Sequence, residues 1–230
     1  MRRWFGIVAT LGLVLAGCAP QGAVYDRSIY STAVYDAQNV KPLKPLSYPV
    51  QAATLTSYPK WGEDAVGKTT TLQRDTWITV EPEVKAVCST YPRAQVLEKL
   101  HQLLGLKPAT EDDAKQRFVR FVITRAQPVG PTGAGIFRPC ADPDPAATSC
   151  GNAIKGPDAY VAWFAKQMAS SYVVAPTVKD AGYPWTRLGY TYNWDPAAPT
   201  PVGAQEYVVP AGTEVTVTEV VKPEDYCAAQ

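Results

Sequence analysis

Histidine is almost missing from this sequence: one residue, His101, in 230. No two cysteines stand in a C-x-x-C pair. These two scarcities remove the usual zinc patterns, which draw on clustered Cys and His, and leave no metal site to assign. They also leave catalysis without a spare imidazole, because His101 lies mid-helix between Leu100 and Gln102 and reads as a solvated or capping side chain. No Gly-x-Ser-x-Gly elbow is present. The stretch Gly130-Pro131-Thr132-Gly133-Ala134-Gly135 lacks the Lys-Ser/Thr of a phosphate loop and the spacing of a dinucleotide fingerprint, so it reads as flexible loop and implies no cofactor. Neither sign of charge dominates, with 22 basic and 21 acidic side chains. A nucleic-acid partner, which needs a basic patch, is excluded on that ground. After the first 17 residues no run reaches the roughly 20 apolar residues of a membrane span.

What is present begins at the N-terminus. Met1-Arg2-Arg3 is followed by an uncharged stretch, Trp4 to Gly17, that has the short cationic start and apolar centre of a secretory signal. Fourteen residues are too few to cross about 30 Å of hydrocarbon as a helix.

The stretch ends in Leu15-Ala16-Gly17-Cys18, which resembles the lipobox of bacterial lipoproteins: Leu, two small residues, then Cys. The resemblance covers residues 1–18 only. It implies cleavage before Cys18, a thioether-linked diacylglycerol on its sulfur, and acylation (palmitate) of the new amino group. Each buried methylene contributes about 0.8 kcal/mol, and one chain anchors only marginally, so two or three make a durable tether. The resemblance further implies that Ala19, in place of an Asp, sends the protein of a diderm bacterium to the outer membrane, facing the periplasm.

Loss of residues 1–17 takes Arg2 and Arg3 with it, so 20 basic side chains face 21 acidic ones in what remains. A hydrophobic fraction of 46% marks a globular domain. The 21 prolines predict short elements and long stiff loops. Four cysteines, Cys88, Cys140, Cys150 and Cys227, accompany Cys18. An even number in an exported chain favours disulfides over thiols. Cys140 and Cys150 bracket a stretch with no bulky core residue, which a local bridge would order; Cys88 and Cys227 are left to staple the chain end to the core.

Residues 19–50 lack periodicity and read as a tether; within them Ala23-Val24-Tyr25-Asp26 recurs as Ala33-Val34-Tyr35-Asp36, by chance or as a partner-binding segment. Strands are expected at Ala52–Ser57, at Asp75–Glu81, ended or placed at an edge by Pro82, and centrally at Phe118–Arg125. Helices are expected at Pro92–Leu104, closed by Gly105, and at Pro157–Tyr172, buried on most sides. A short helix should follow Thr110. A long Gly/Pro-rich loop fills 128–157, and a hairpin is expected from Glu206–Val209 and Thr213–Val221 about Pro210-Ala211-Gly212.

The least ordinary stretch is Gly182 to Asp195, in which Tyr183, Trp185, Tyr190, Tyr192 and Trp194 fall within fourteen residues. Such rings stack on sugars or bury a flat patch against a protein; equally, Tyr190, Tyr192 and Trp194 share one face of a strand and can pack in a core. The acids Glu111-Asp112-Asp113 and Asp142/Asp144 are candidates for a glycosidase pair or a calcium site, but they also suit a helix start and turns, and no EF-hand spacing is present.

The sequence therefore predicts a signal peptide at 1–17, a lipidated tether at 18–50 and one globular domain at 51–230. The fold class is α+β: an antiparallel or mixed sheet, two main helices and long Pro/Gly-rich loops, stapled by disulfides. The expected role is non-enzymatic binding or scaffolding of envelope components, protein or peptidoglycan. A carboxylate-based hydrolase of cell-wall sugars and a small-ligand carrier with a pocket between helices and sheet are the alternatives.

Overall fold

The computed structural model describes residues 42–59, 61, 63–173 and 182–228, together with Ala33. The signal stretch, Cys18, and the tether with its four-residue repeat lie outside the described residues apart from Ala33 and residues 42–50.

The α+β class holds. Six strands form one antiparallel sheet in the order β2-β8-β4-β1-β3-β7. They are β1 (Val50–Thr56), β2 (Thr69–Thr71), β3 (Thr76–Val80), β4 (Arg117–Ile123), β7 (Tyr207–Val209) and β8 (Glu214–Val221). A second, two-stranded antiparallel sheet pairs β5 (Tyr190–Tyr192) with β6 (Val202–Gln205). β4 lies inside the sheet, as its run of strand formers predicts. The hairpin does not form. β7 pairs with β3, whereas β8 pairs with β2 and β4, so Pro210-Ala211-Gly212 turns the chain between well-separated strands. Turn residues fix a local change of direction; pairing is settled by which faces need burial.

Each face of the sheet has its own core. On one, Val50, Ile78, Phe121, Tyr207 and Val217 bring five strands into one cluster. The other is covered in two patches. At one end, α1 (Glu83–Cys88), α2 (Val96–Leu103) and α4 (Pro223–Tyr226) set Val84, Leu100 and Tyr226 against Ala53 and Phe118. At the other, α3 (Asp158–Ser171) sets Tyr160 and Phe164 against Phe137, Trp185 and Val208.

The helix from Pro157 is buried on one face only, not most: Tyr160, Phe164 and Ser171 are its buried residues, and Val161 is exposed. Its alanines give no bulk to a second interface. The helix before Gly105 begins as a 3-10 turn, Arg93–Gln95, and Gly105 ends it at φ +63°. Thr110 caps the 3-10 turn Glu111–Lys115 in a reciprocal box with Asp113.

His101 is neither solvated nor a cap. It is buried, with Nδ1 2.6 Å from the Lys107 carbonyl and Nε2 2.9 Å from Gln116 Oε1. The chain bends back after Gly105 and supplies both partners, which the local sequence does not foretell.

Two disulfides staple the fold, Cys88–Cys227 and Cys140–Cys150, with Cα separations of 5.2 and 5.6 Å. They are the pairings that the spacing favours. Residues 42–49 run along the Cys140–Cys150 loop: Leu43 N–H donates to the Thr148 carbonyl and Leu46 N–H to that of Pro145. The ordered fold thus takes in chain upstream of residue 51. Arg138, fully buried, locks this corner, with Nη2 donating to the carbonyls of Lys44 (2.9 Å) and Pro145 (3.2 Å) and to the Tyr207 hydroxyl (3.0 Å).

Candidate ligand-binding cleft

β1 and β4 pair along the full seven residues of β1, from Val50↔Ile123 to Thr56↔Arg117. β1 and β3 pair over two, Ala52↔Val80 and Ala53↔Thr79, and then part. In an antiparallel pair, alternate residues turn their main-chain groups toward the neighbour. Glu81 N–H donates to the Gln51 carbonyl, so the alternation aims the main chains of Leu55 and Trp77 into the gap.

The gap is a cleft of about 750 Å³ that also lies between the two helical patches. That volume falls within the roughly 300–1,000 Å³ of small-molecule sites. Ala53, Leu55 and Phe118 of β1 and β4 form one wall with Leu104 and Leu106, which follow α2; Trp77 and Trp185 form another with Gln167 and Ser171 of α3. The wall after α2 is held by close approach. A Cβ on Gly203 would fall 2.1 Å from Thr191 Oγ1 and 2.3 Å from the Leu103 carbonyl, and Thr191 Oγ1 itself donates to that carbonyl at 2.7 Å. Glycine is required there so that β6 can reach the helix end.

Aromatic rings and threonines share the lining. Trp77 and Trp185 meet edge to face with centroids 6.0 Å apart, and Trp185 packs on Phe164 at 5.1 Å. At the rim, the Arg74 guanidinium lies 4.4 Å over the Tyr58 ring and the Lys107 ammonium 5.1 Å over that of Tyr183. Asp75 also lines the cleft, but its two oxygens accept from Trp163 Nε1 at 2.9 Å and from Ala211 N–H at 3.0 Å.

Glu206, between β6 and β7, is the acid of the cleft. It is 5% exposed, and its Oε1 accepts from Trp185 Nε1 at 3.0 Å. Burial pushes its carboxyl up from 4.5 to about 8, against smaller opposing effects of the Trp185 hydrogen bond and the charge of Arg138. A carboxyl in such a place keeps its proton at neutral pH.

Of the five aromatic candidates, three line the cleft: Tyr183 on its rim at 45% exposure, Trp185 and Tyr192. The other two brace the fold. Tyr190 packs on Leu43, Cys140 and Cys150, and Trp194 donates through Nε1 to the Leu106 carbonyl at 2.8 Å. The candidate acids serve turns and ion pairs away from the cleft. Asp113 closes the Thr110 cap, Asp142 pairs with Lys155 at 2.8 Å, and Asp144 accepts from Ala146 N–H. Among the described residues no His/Cys/Asp/Glu group could hold a metal ion.

Sequence reading missed Glu206, Trp77, Tyr58 and Trp61. One signal was available for Glu206: at period 2 it shares a side with Val208, which is wholly buried. Comparison of the chain with family models, curated proteins and solved structures finds no match.

Proposed function

We propose that this chain is a lipid-anchored envelope protein whose periplasmic domain binds a small ligand in the cleft between β1 and β3. The observation that carries the reading is the parting of these strands after two residue pairs, which leaves a space bordered by aromatic rings, while β1 stays paired with β4 along its full length. A ligand seated there would take the apolar side chains of Leu55, Leu104, Leu106 and Phe118 out of water, which favours binding. Of the roles open to an exported lipoprotein, that of small-ligand carrier fits this geometry better than scaffolding through the aromatic segment, since Trp185, Tyr190, Tyr192 and Trp194 are buried.

The address rests on Leu15-Ala16-Gly17-Cys18 and Ala19, which favour a lipid on Cys18 and the outer membrane. Two disulfides suit an oxidising compartment. Among the described residues no helix is long and apolar enough to cross a membrane.

Two experiments test the two halves. Labelling with radioactive palmitate should mark the wild type and not Cys18→Ser, which should leave the membrane fraction; an unlabelled wild type overturns the anchor. For the cleft, the fluorescent probe 8-anilinonaphthalene-1-sulfonate should bind the wild type with about one site, and Leu55→Arg should abolish it while keeping the circular dichroism spectrum. Equal binding by the two proteins overturns the ligand site.

A further inference from the structure

We propose that the ligand carries a cationic nitrogen on an apolar body, an organic ammonium, and that this nitrogen sits against Glu206 among the rings of Trp77 and Trp185. The inference rests on the cleft being a ligand site and goes on to name the ligand's chemistry.

Glu206 is a buried acid that stays uncharged in the free protein at neutral pH. A carboxylate taken out of water is costly unless it meets a cation and further donors. Among the described residues Glu206 forms no ion pair, and its one side-chain hydrogen bond comes from a neutral indole. Arg138 is near enough to be felt, but it forms no ion pair with Glu206, and its Nη2 is turned to the carbonyls of Lys44 and Pro145 and to the Tyr207 hydroxyl. A glutamine would accept from Trp185 as well and carry no charge to desolvate, so an acid here gains its distinct chemistry when a cation is bound beside it.

The rings beside it point the same way. Indole faces attract cations more strongly than phenol faces. Yet the cation–ring contacts of the described residues fall on tyrosines, at Tyr58, Tyr172, Tyr183, Tyr207 and Tyr226, and none on Trp77 or Trp185. Both indoles border the cleft beside Glu206, and Trp185 also packs on Phe164 and Tyr172, so a cation there would meet indole without displacing one of the protein's own.

The rim restricts the rest of the molecule. Arg74 and Lys107 stand over Tyr58 and Tyr183, so a polyamine would be repelled at the mouth. A ligand with one ammonium at its inner end and an apolar or anionic remainder is accepted. The apolar part lies along Leu55, Leu104, Leu106 and Phe118.

Charge on the ligand must also draw the proton from Glu206, which burial holds protonated to about pH 8. The titratable and charged groups facing it are Arg138 and Tyr172 at the end of α3, over whose ring Arg187 lies at 5.6 Å. The other acid of the cleft, Asp75, already accepts from Trp163 Nε1 and the Ala211 N–H. Binding near pH 7 therefore releases close to one proton.

Isothermal titration with n-octylammonium, 1-octanol and octanoate tests this. The ammonium should bind at least 10-fold more tightly than the alcohol at pH 7. Its heat should depend on the buffer's ionisation enthalpy, and Glu206→Gln should erase the preference and the proton release together. If the alcohol binds as well as the ammonium, and Leu55→Arg abolishes both, the cleft stands and the ammonium assignment falls. An ammonium preference that persists in Glu206→Gln also overturns the assignment. Binding by none of the three probes overturns the assignment and the cleft together.

Discussion

Trp185 Nε1 lies 3.0 Å from the Glu206 carboxylate, and that single hydrogen bond is what the fold offers the acid in place of a cation. The pair joins the second aromatic wall of the cleft to the end of the main sheet. Its energetics are accessible without any ligand.

The first prediction is a pH profile. The unfolded chain releases the Glu206 proton near 4.5, whereas the folded chain holds it to about 8. Between these values the native state binds more protons than the unfolded one, so stability falls as pH rises, and the loss is complete above about 8. The slope is about 1.4 kcal/mol per pH unit if the group acts alone. Urea unfolding at pH 5 and pH 8 should show the wild type losing several kcal/mol more than Glu206→Gln over that interval. Parallel profiles would mean that the acid is better solvated than its surroundings indicate.

A second prediction concerns Arg138. Arg138→Met leaves the carbonyls of Lys44 and Pro145 and the hydroxyl of Tyr207 without their shared donor. Buried acceptors stripped of a charged donor cost about 3 kcal/mol or more, whereas Tyr207→Phe should cost only about 1 kcal/mol. Limited proteolysis should find new cuts at residues 42–46 in Arg138→Met. Unchanged resistance in that variant would show that the Leu43 and Leu46 main-chain bonds hold the segment unaided.

The two disulfides should differ in worth. Cys88–Cys227 closes a span of 139 residues and Cys140–Cys150 one of 10. Chain entropy then assigns about 5 kcal/mol to the first and about 3 kcal/mol to the second. Removing each pair as a double alanine variant, and measuring denaturant midpoints, should reproduce that order. Loss of the short loop should additionally loosen the Arg138 corner and shift the Tyr190 environment, visible by near-ultraviolet circular dichroism.

The elements legible from sequence were those with a strong local signal. Phe118 to Ile123 could scarcely be anything but an inner strand, and Leu100, Leu103 and Gly105 announce a helix and its end. Cysteine spacing resolved both bridges. Illegible features were those that depend on distant partners. Tyr207–Val209 crosses to β3 and not to β8, though all three strands feed the same core, a choice invisible around the Pro210 turn. The cleft exists because β1 and β3 stop pairing after Ala53, and no residue in either strand marks the stop. Trp77 read as a good strand former, as it is, with no hint that its main-chain groups would face a gap on the β1 side. Glu206 was hidden by the strand-like company of Tyr207 and Val208.

The hold on Leu43, Lys44 and Leu46 has a mechanical consequence. Any tug arriving along the chain from its N-terminal side reaches the disulfide-closed corner and the guanidinium clamp before it reaches β1. Cross-linked backbone shears poorly, so the corner acts as strain relief does on a cable, and Thr54 to Thr56, which border the opening, stay unloaded. If the lipid proposed for Cys18 moors the domain, it can in this way be jostled without its mouth changing shape.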